Sequence, residues 1–464
     1  MKVELVLLTK LLRESEKLTF NNKKLLYIML GLIATLVIDS SIVKVYDLID
    51  KTFISQRVKF LLFSVNTSVC LLLVFVIINY IEKSFRKHTL TKRFNLDVLY
   101  RISLNSLFVI GTLVGLLIFQ QLYHNYYHIS ISIFIIMISY GTAAGFIIRL
   151  SMLFISWYFS NHNWILALYA TSMLFIAFNL IMTGLVTDVK LTDRSDIIRE
   201  YIGGSSDVSA GKYVLLNNLY LVSSFMAFMS IWMTTIILVN FYRDKDRNPI
   251  IYWIIFSIPL FYYLVNYFYQ LILTNLLSSS LTVDPITVSI ALTAFLSLSK
   301  PIGGLIFAFA FWNMAKNVGY EKNIKAYMNI AGWGIFLIFA ANQANVQSLA
   351  PYPPFGLATI SVLILAAFLM LLGIYNTAAF VSANTNLRKS IRQHAMESAM
   401  LGFIGQAQLQ KEVEKRVKEI TRLKYSLERE TELPIEFDEK ELKDYLKILV
   451  TVVRRKSDQK DRPL

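Results

Sequence analysis

Cysteine is nearly absent from this chain. Cys70 is the only one in 464 residues, which excludes an intrachain disulfide, a cysteine-built zinc site and an Fe–S cluster. Charge is scarce too, at 17% of residues against roughly 25% in soluble domains. With 55% hydrophobic residues and a mean hydropathy of +0.53, a compact water-soluble domain is ruled out. The apolar blocks lack the strict alternation of outer-membrane β-strands. Also missing are a Ser-His-Asp set, a phosphate-cradling glycine loop and a HExxH helix. Neither enzyme activity nor a cofactor is expected.

What is present is a series of apolar stretches, each near the roughly 20 residues that cross a bilayer as helix. The fold class is all-α: a polytopic helical membrane protein. Cutting at charge clusters and turn residues gives ten spans, 25–45, 60–81, 102–123, 129–158, 164–187, 213–241, 250–276, 286–312, 327–345 and 356–382. The fourth is long enough to raise a two-helix alternative, and the first turns polar gradually at its end. Three regions follow: an N-terminal segment 1–24, a bundle 25–385 and a tail 386–464.

Cytoplasmic loops should hold the Lys and Arg. With the N-terminus inside, 37 of the 46 fall on the cytoplasmic side, 8 outside, and Lys300 is left within a span. Ten spans return the C-terminus to the cytoplasm, so a multi-pass protein of the cell (plasma) membrane is expected. The net charge of +15 is then mainly topological, from basic loops beside anionic headgroups. The lipid bilayer is the expected partner, and nucleic acid is not. The start MKVELVLLTKLLRESEKLTF is acidic enough to argue against a cleaved signal peptide. Val3, Leu7, Leu11 and Leu18 share one face of an amphipathic surface helix.

The tail holds 18 basic and 14 acidic residues. Its first part reads as a helix running on from span ten, unbroken by proline from Phe355 to about Arg429. Val413, Val417, Ile420 and Leu427 follow a coiled-coil seam with Lys424 as a polar break, so self-association or a protein partner through 405–430 is expected. A second short helix follows Pro434.

Lys300 is the only charged residue between Asp284 and Lys316, and an ammonium at bilayer depth costs several kcal/mol unless paired or wetted. Pro301 lacks an N–H, so a helix break is expected there, deepened by Gly303 and Gly304. Lys300 then lines a ligand or ion pathway, or else donates to orphaned carbonyls and fixes packing. Asp39 is the one carboxylate inside a span. It is either an uncertain partner for Lys300 or the start of an outer extension with Lys44, Asp47 and Asp50.

Amides punctuate the spans at Asn179, Asn217, Asn218, Asn266, Gln270, Asn342, Gln343 and Asn376. Glue between helices explains such residues, and a polar cavity at Asn218, Asn266 and Lys300 is the sharper reading. Arg149 snorkels to headgroups or contacts substrate. His124 and His128, four apart, are weak metal candidates if they share a helical face, with an aromatic belt as the alternative. His394 lacks an adjacent acid or an ATP-binding region, which argues against phosphotransfer. The loop SLAPYPPFG should be stiff, capping a cavity or making a rigid turn.

From about 350 to 417, the PPFGLATIS entry to the last span, the GIY near its inner end and LRKSIR before a charged helix resemble uncharacterised multi-pass membrane proteins of ammonia-oxidising archaea. The resemblance implies an archaeal plasma-membrane location and carries over no activity or site residue. Two functions remain: a sensor, receptor-like or scaffold protein relaying through its tail, and a transporter or channel-like protein using Lys300 on a kinked span eight.

Overall fold

The computed structural model describes residues 22–51, 56–85, 96–124, 128–200, 209–241, 249–268, 298–317, 322–342, 353–383, 403–411 and 415. These residues form ten helices and a further helical stretch at 403–411. In chain order they are α1 Asn22–Lys51, α2 Gln56–Phe85, α3 Leu96–His124, α4 Ile129–Asn161, α5 Trp164–Glu200, α6 Ser209–Phe241, α7 Pro249–Phe268, α8 Ser299–Asn317, α9 Lys322–Ala341 and α10 Leu357–Ala383. The long fourth stretch is a single helix of 33 residues. Eight of the helices, all but α7 and α8, contain a window long and apolar enough to cross a membrane. The chain is therefore a helical multi-pass membrane protein. The N-terminal segment 1–21, residues 286–297 of the expected eighth span, His394, the seam from Val413 to Leu427 and the helix after Pro434 lie outside the described residues.

Why the helices pack as they do follows from which faces are apolar all round. Only 28% of the apolar window of α3 is buried, whereas Leu357–Ser382 of α10 is buried throughout. A helix apolar on every side belongs in a core, and α10 is that core, touching α1, α2, α3, α4 and α9. Close approach to α9 depends on glycine. A Cβ on Gly334 would lie 2.6 Å from the Met370 backbone nitrogen and one on Gly373 2.6 Å from the Tyr327 carbonyl. Small residues let membrane helices approach at backbone distance.

Gly303 and Gly304 likewise serve as packing surfaces of α8. A Cβ on Gly303 would run into the Phe228 ring of α6, and one on Gly304 would sit 2.6 Å from Phe339 Cβ of α9. Below them Phe228 stacks on Tyr263 at 4.0 Å, and Phe307 and Phe339 meet at 5.1 Å. Pro301 stands in the first turn of α8, where a missing N–H costs nothing, and the Ile302 amide bonds the Leu298 carbonyl at 3.0 Å. Among the described residues α8 is unbroken. The proline inside a helix is Pro259 of α7, and Trp232 Nε1 donates to the nearby Phe256 carbonyl at 2.8 Å.

The expected rod from span ten into the tail is also corrected. A Cβ on Gly405 would strike the Val381 side chain, whereas an unbroken helix would separate those residues by about 36 Å. The stretch 403–411 instead packs back on the bundle. Ile404 and Ala407 are buried, and Trp157 Nε1 of α4 donates to Gln408 Oε1 at 2.9 Å.

Candidate functional site

The end of the bundle at which α10 begins, here the upper end, gathers the polar side chains that matter. Alternating helices bring to it residues from within α1, α5 and α6, the last turn of α7, the end of α9 and the first turns of α8 and α10.

One group is built on Lys300. Its Nζ donates to Tyr220 Oη at 2.9 Å. The ring centroid is 5.1 Å away, so the ammonium meets the hydroxyl end of the phenol rather than its face. Tyr220 is buried and Lys300 half-buried, on facing helices. The neighbouring Ser299 accepts from Asn266 Nδ2 at 3.0 Å, tying α7 to α8, and Ser224 and Tyr263 hydroxyls lie 3.1 Å apart.

Beside this pair runs an amide chain. Asn342 Nδ2, just past α9, donates to Asn179 Oδ1 of α5 at 2.7 Å. Asn179 Nδ2 donates to Ser223 Oγ at 3.0 Å, which donates to the Tyr220 carbonyl at 2.8 Å. Five helices are therefore joined by hydrogen bonds within one membrane-embedded cluster. Two buried polar atoms at this end lack a partner, Asn342 Oδ1 and Tyr140 Oη.

Asp39 forms a second group and does not meet Lys300. Fully buried, its Oδ1 accepts from the Gly356 amide at 3.0 Å, and its Oδ2 accepts from the Thr359 amide at 3.0 Å and Thr359 Oγ1 at 2.7 Å. Gly356, at φ 97°, precedes α10 and has no side chain with which to cap it. Asp39 reaches across from α1 and satisfies the amides of the N-cap and third helical position, the two donors that a local capping box serves. A carboxylate also suits the positive end of a helix. The PPFG turn is buried, with Phe355 edge-on to Phe63 at 5.6 Å. It is a packed helix entry.

Of the remaining candidates, Asn218 is exposed on α6, facing away from Tyr220, so it takes no part in the cluster. Arg149 is exposed on α4. His124 ends α3 while His128 is the N-cap residue of α4, so the two do not belong to one helix. Among the described residues no three His, Cys, Asp or Glu side chains group as metal ligands.

Sequence reading missed Tyr220, Tyr140 and Thr359. Each looked like an ordinary aromatic or helix hydroxyl, and only their long-range partners distinguish them. No family model, curated protein or solved structure matches the chain.

Proposed function

We propose that the protein is a receptor-like membrane sensor whose upper cluster around Lys300 registers a ligand and whose stretch 403–411 reports it at the opposite end. In this reading α7 and α8 complete ten crossings, the termini are cytoplasmic and the upper end faces outward. The observation that carries it is the docking of 403–411 on the lower ends of α4 and α10 through Gln408 and Gly405. A packed route leads there: the cluster holds Asn342 at the end of α9, and α9 meets α10 at backbone distance through Gly334 and Gly373. Tight packing at Gly303 and Gly304 favours this over a pathway opened within α8.

Packing alone is not coupling, so exchange at one end must respond to change at the other. In the full chain in lipid nanodiscs, hydrogen–deuterium exchange of the 403–411 amides is compared among wild type, Lys300→Met and Trp157→Phe. Trp157→Phe removes the bond to Gln408 and should raise exchange, confirming that docking is read. Lys300→Met should alter it as well. Unaltered exchange at 403–411 in Lys300→Met, with Trp157→Phe responding, overturns the relay.

A further inference from the structure

We infer that the Lys300–Tyr220 pair binds a singly charged oxyanion, a phosphodiester or carboxylate, borne by a lipid headgroup of the upper leaflet or arriving free. The inference rests on the reading of this cluster as a ligand site, and it assigns the ligand's chemistry.

An ammonium carries three N–H donors. Lys300 gives one to Tyr220 and, among the described residues, has no further acceptor and no carboxylate within ion-pair distance. Because Tyr220 Oη accepts that bond, its own O–H remains to be donated. Tyr140 Oη, on a side chain only 2% exposed, is a further buried hydroxyl with no partner among the described residues.

These groups all donate, so the complementary ligand is one that accepts and is negative. One half-buried cation balances one negative charge. A dianion would leave an uncompensated charge at low dielectric, which is costly.

Leu298 and Ile302 of α8 and Leu219 and Val222 of α6 flank the pair and are 38–51% exposed. An acyl chain can lie against such a surface, and the apolar stem of a half-buried lysine can carry its ammonium toward a headgroup. This placement favours the lipid-borne source.

The test uses the full chain in detergent, native mass spectrometry with added phosphatidylglycerol or phosphatidylcholine, and thermal unfolding with dimethyl phosphate as the soluble probe. Wild type should retain one phosphatidylglycerol in preference to phosphatidylcholine. Lys300→Met should weaken that retention by on the order of tenfold, and Lys300→Arg should keep most of it. A Lys300-dependent response to phosphatidylglycerol alone supports a lipid headgroup. Lys300-dependent stabilisation by dimethyl phosphate supports a free anion. Equal phosphatidylglycerol retention in wild type and Lys300→Met, with no Lys300-dependent effect of dimethyl phosphate, overturns the inference. Should Lys300→Met fail to fold, Tyr220→Phe and Lys300→Arg take its place, and retention unchanged in Tyr220→Phe is then the contrary result. Relay failure would appear separately, in the 403–411 exchange, with binding intact.

Discussion

Replacing Asp39 by alanine should destabilise the bundle more than any other single polar truncation at its upper end. Three donors converge on this carboxylate, at 3.0, 3.0 and 2.7 Å, and a hydrogen bond to a charged group contributes about 1.5–3 kcal/mol. The three are not additive, since they share one acceptor group. Two of the donors are helix-start amides that would be left buried without an acceptor, at about 1–3 kcal/mol each. Asp39→Asn keeps one carbonyl oxygen for Gly356 and turns an NH2 toward the Thr359 amide, so about half the loss is expected. Thr359→Val removes a single bond and should cost about 1–2 kcal/mol. Reversible unfolding in mixed micelles measures each variant, and the Asp39→Asn/Thr359→Val double-mutant cycle measures their coupling. A loss below about 1 kcal/mol for Asp39→Ala would refute the cap across helices.

Gly334→Ala and Gly373→Ala should each destabilise by about 1–3 kcal/mol, because the added methyl meets backbone atoms at 2.6 Å that cannot rotate aside; the same unfolding assay reads this. Cys70 is completely buried, with Sγ 3.6 Å from the Ala358 carbonyl. A water-soluble maleimide should leave it unlabelled in the folded protein and label it fully after denaturation, as read by mass spectrometry.

Helix positions were largely legible because crossing a bilayer demands continuous apolar length, which is written locally. The partner of Lys300 was not, since Tyr220 lies 80 residues away in the chain. Asp39 was recognisable as an anomaly, but its partners are 317 and 320 residues away, beyond any capping signature read from neighbours. Glycine was ambiguous in the same way: Gly303 and Gly304 are weak helix formers in isolation and packing surfaces in context. The amides divided. Asn179, Asn266 and Asn342 entered the cluster, while Asn218, on the opposite side of α6, did not. The tail misled because absence of proline permits a long helix without requiring one.

The buried position of α10 has a consequence for how the chain is made. The nine described helices before it leave the ribosome first, and the element that α1, α2, α3, α4 and α9 pack against arrives after them. Until then Asp39 has neither Gly356 nor Thr359 to accept from, and the faces of α2, α4 and α9 that meet α10 have only lipid or one another. Biogenesis therefore ends on a keystone insertion. A nascent chain halted before residue 357 would hold an unsatisfied carboxylate inside the membrane, a mark by which membrane quality control can distinguish unfinished copies from finished ones.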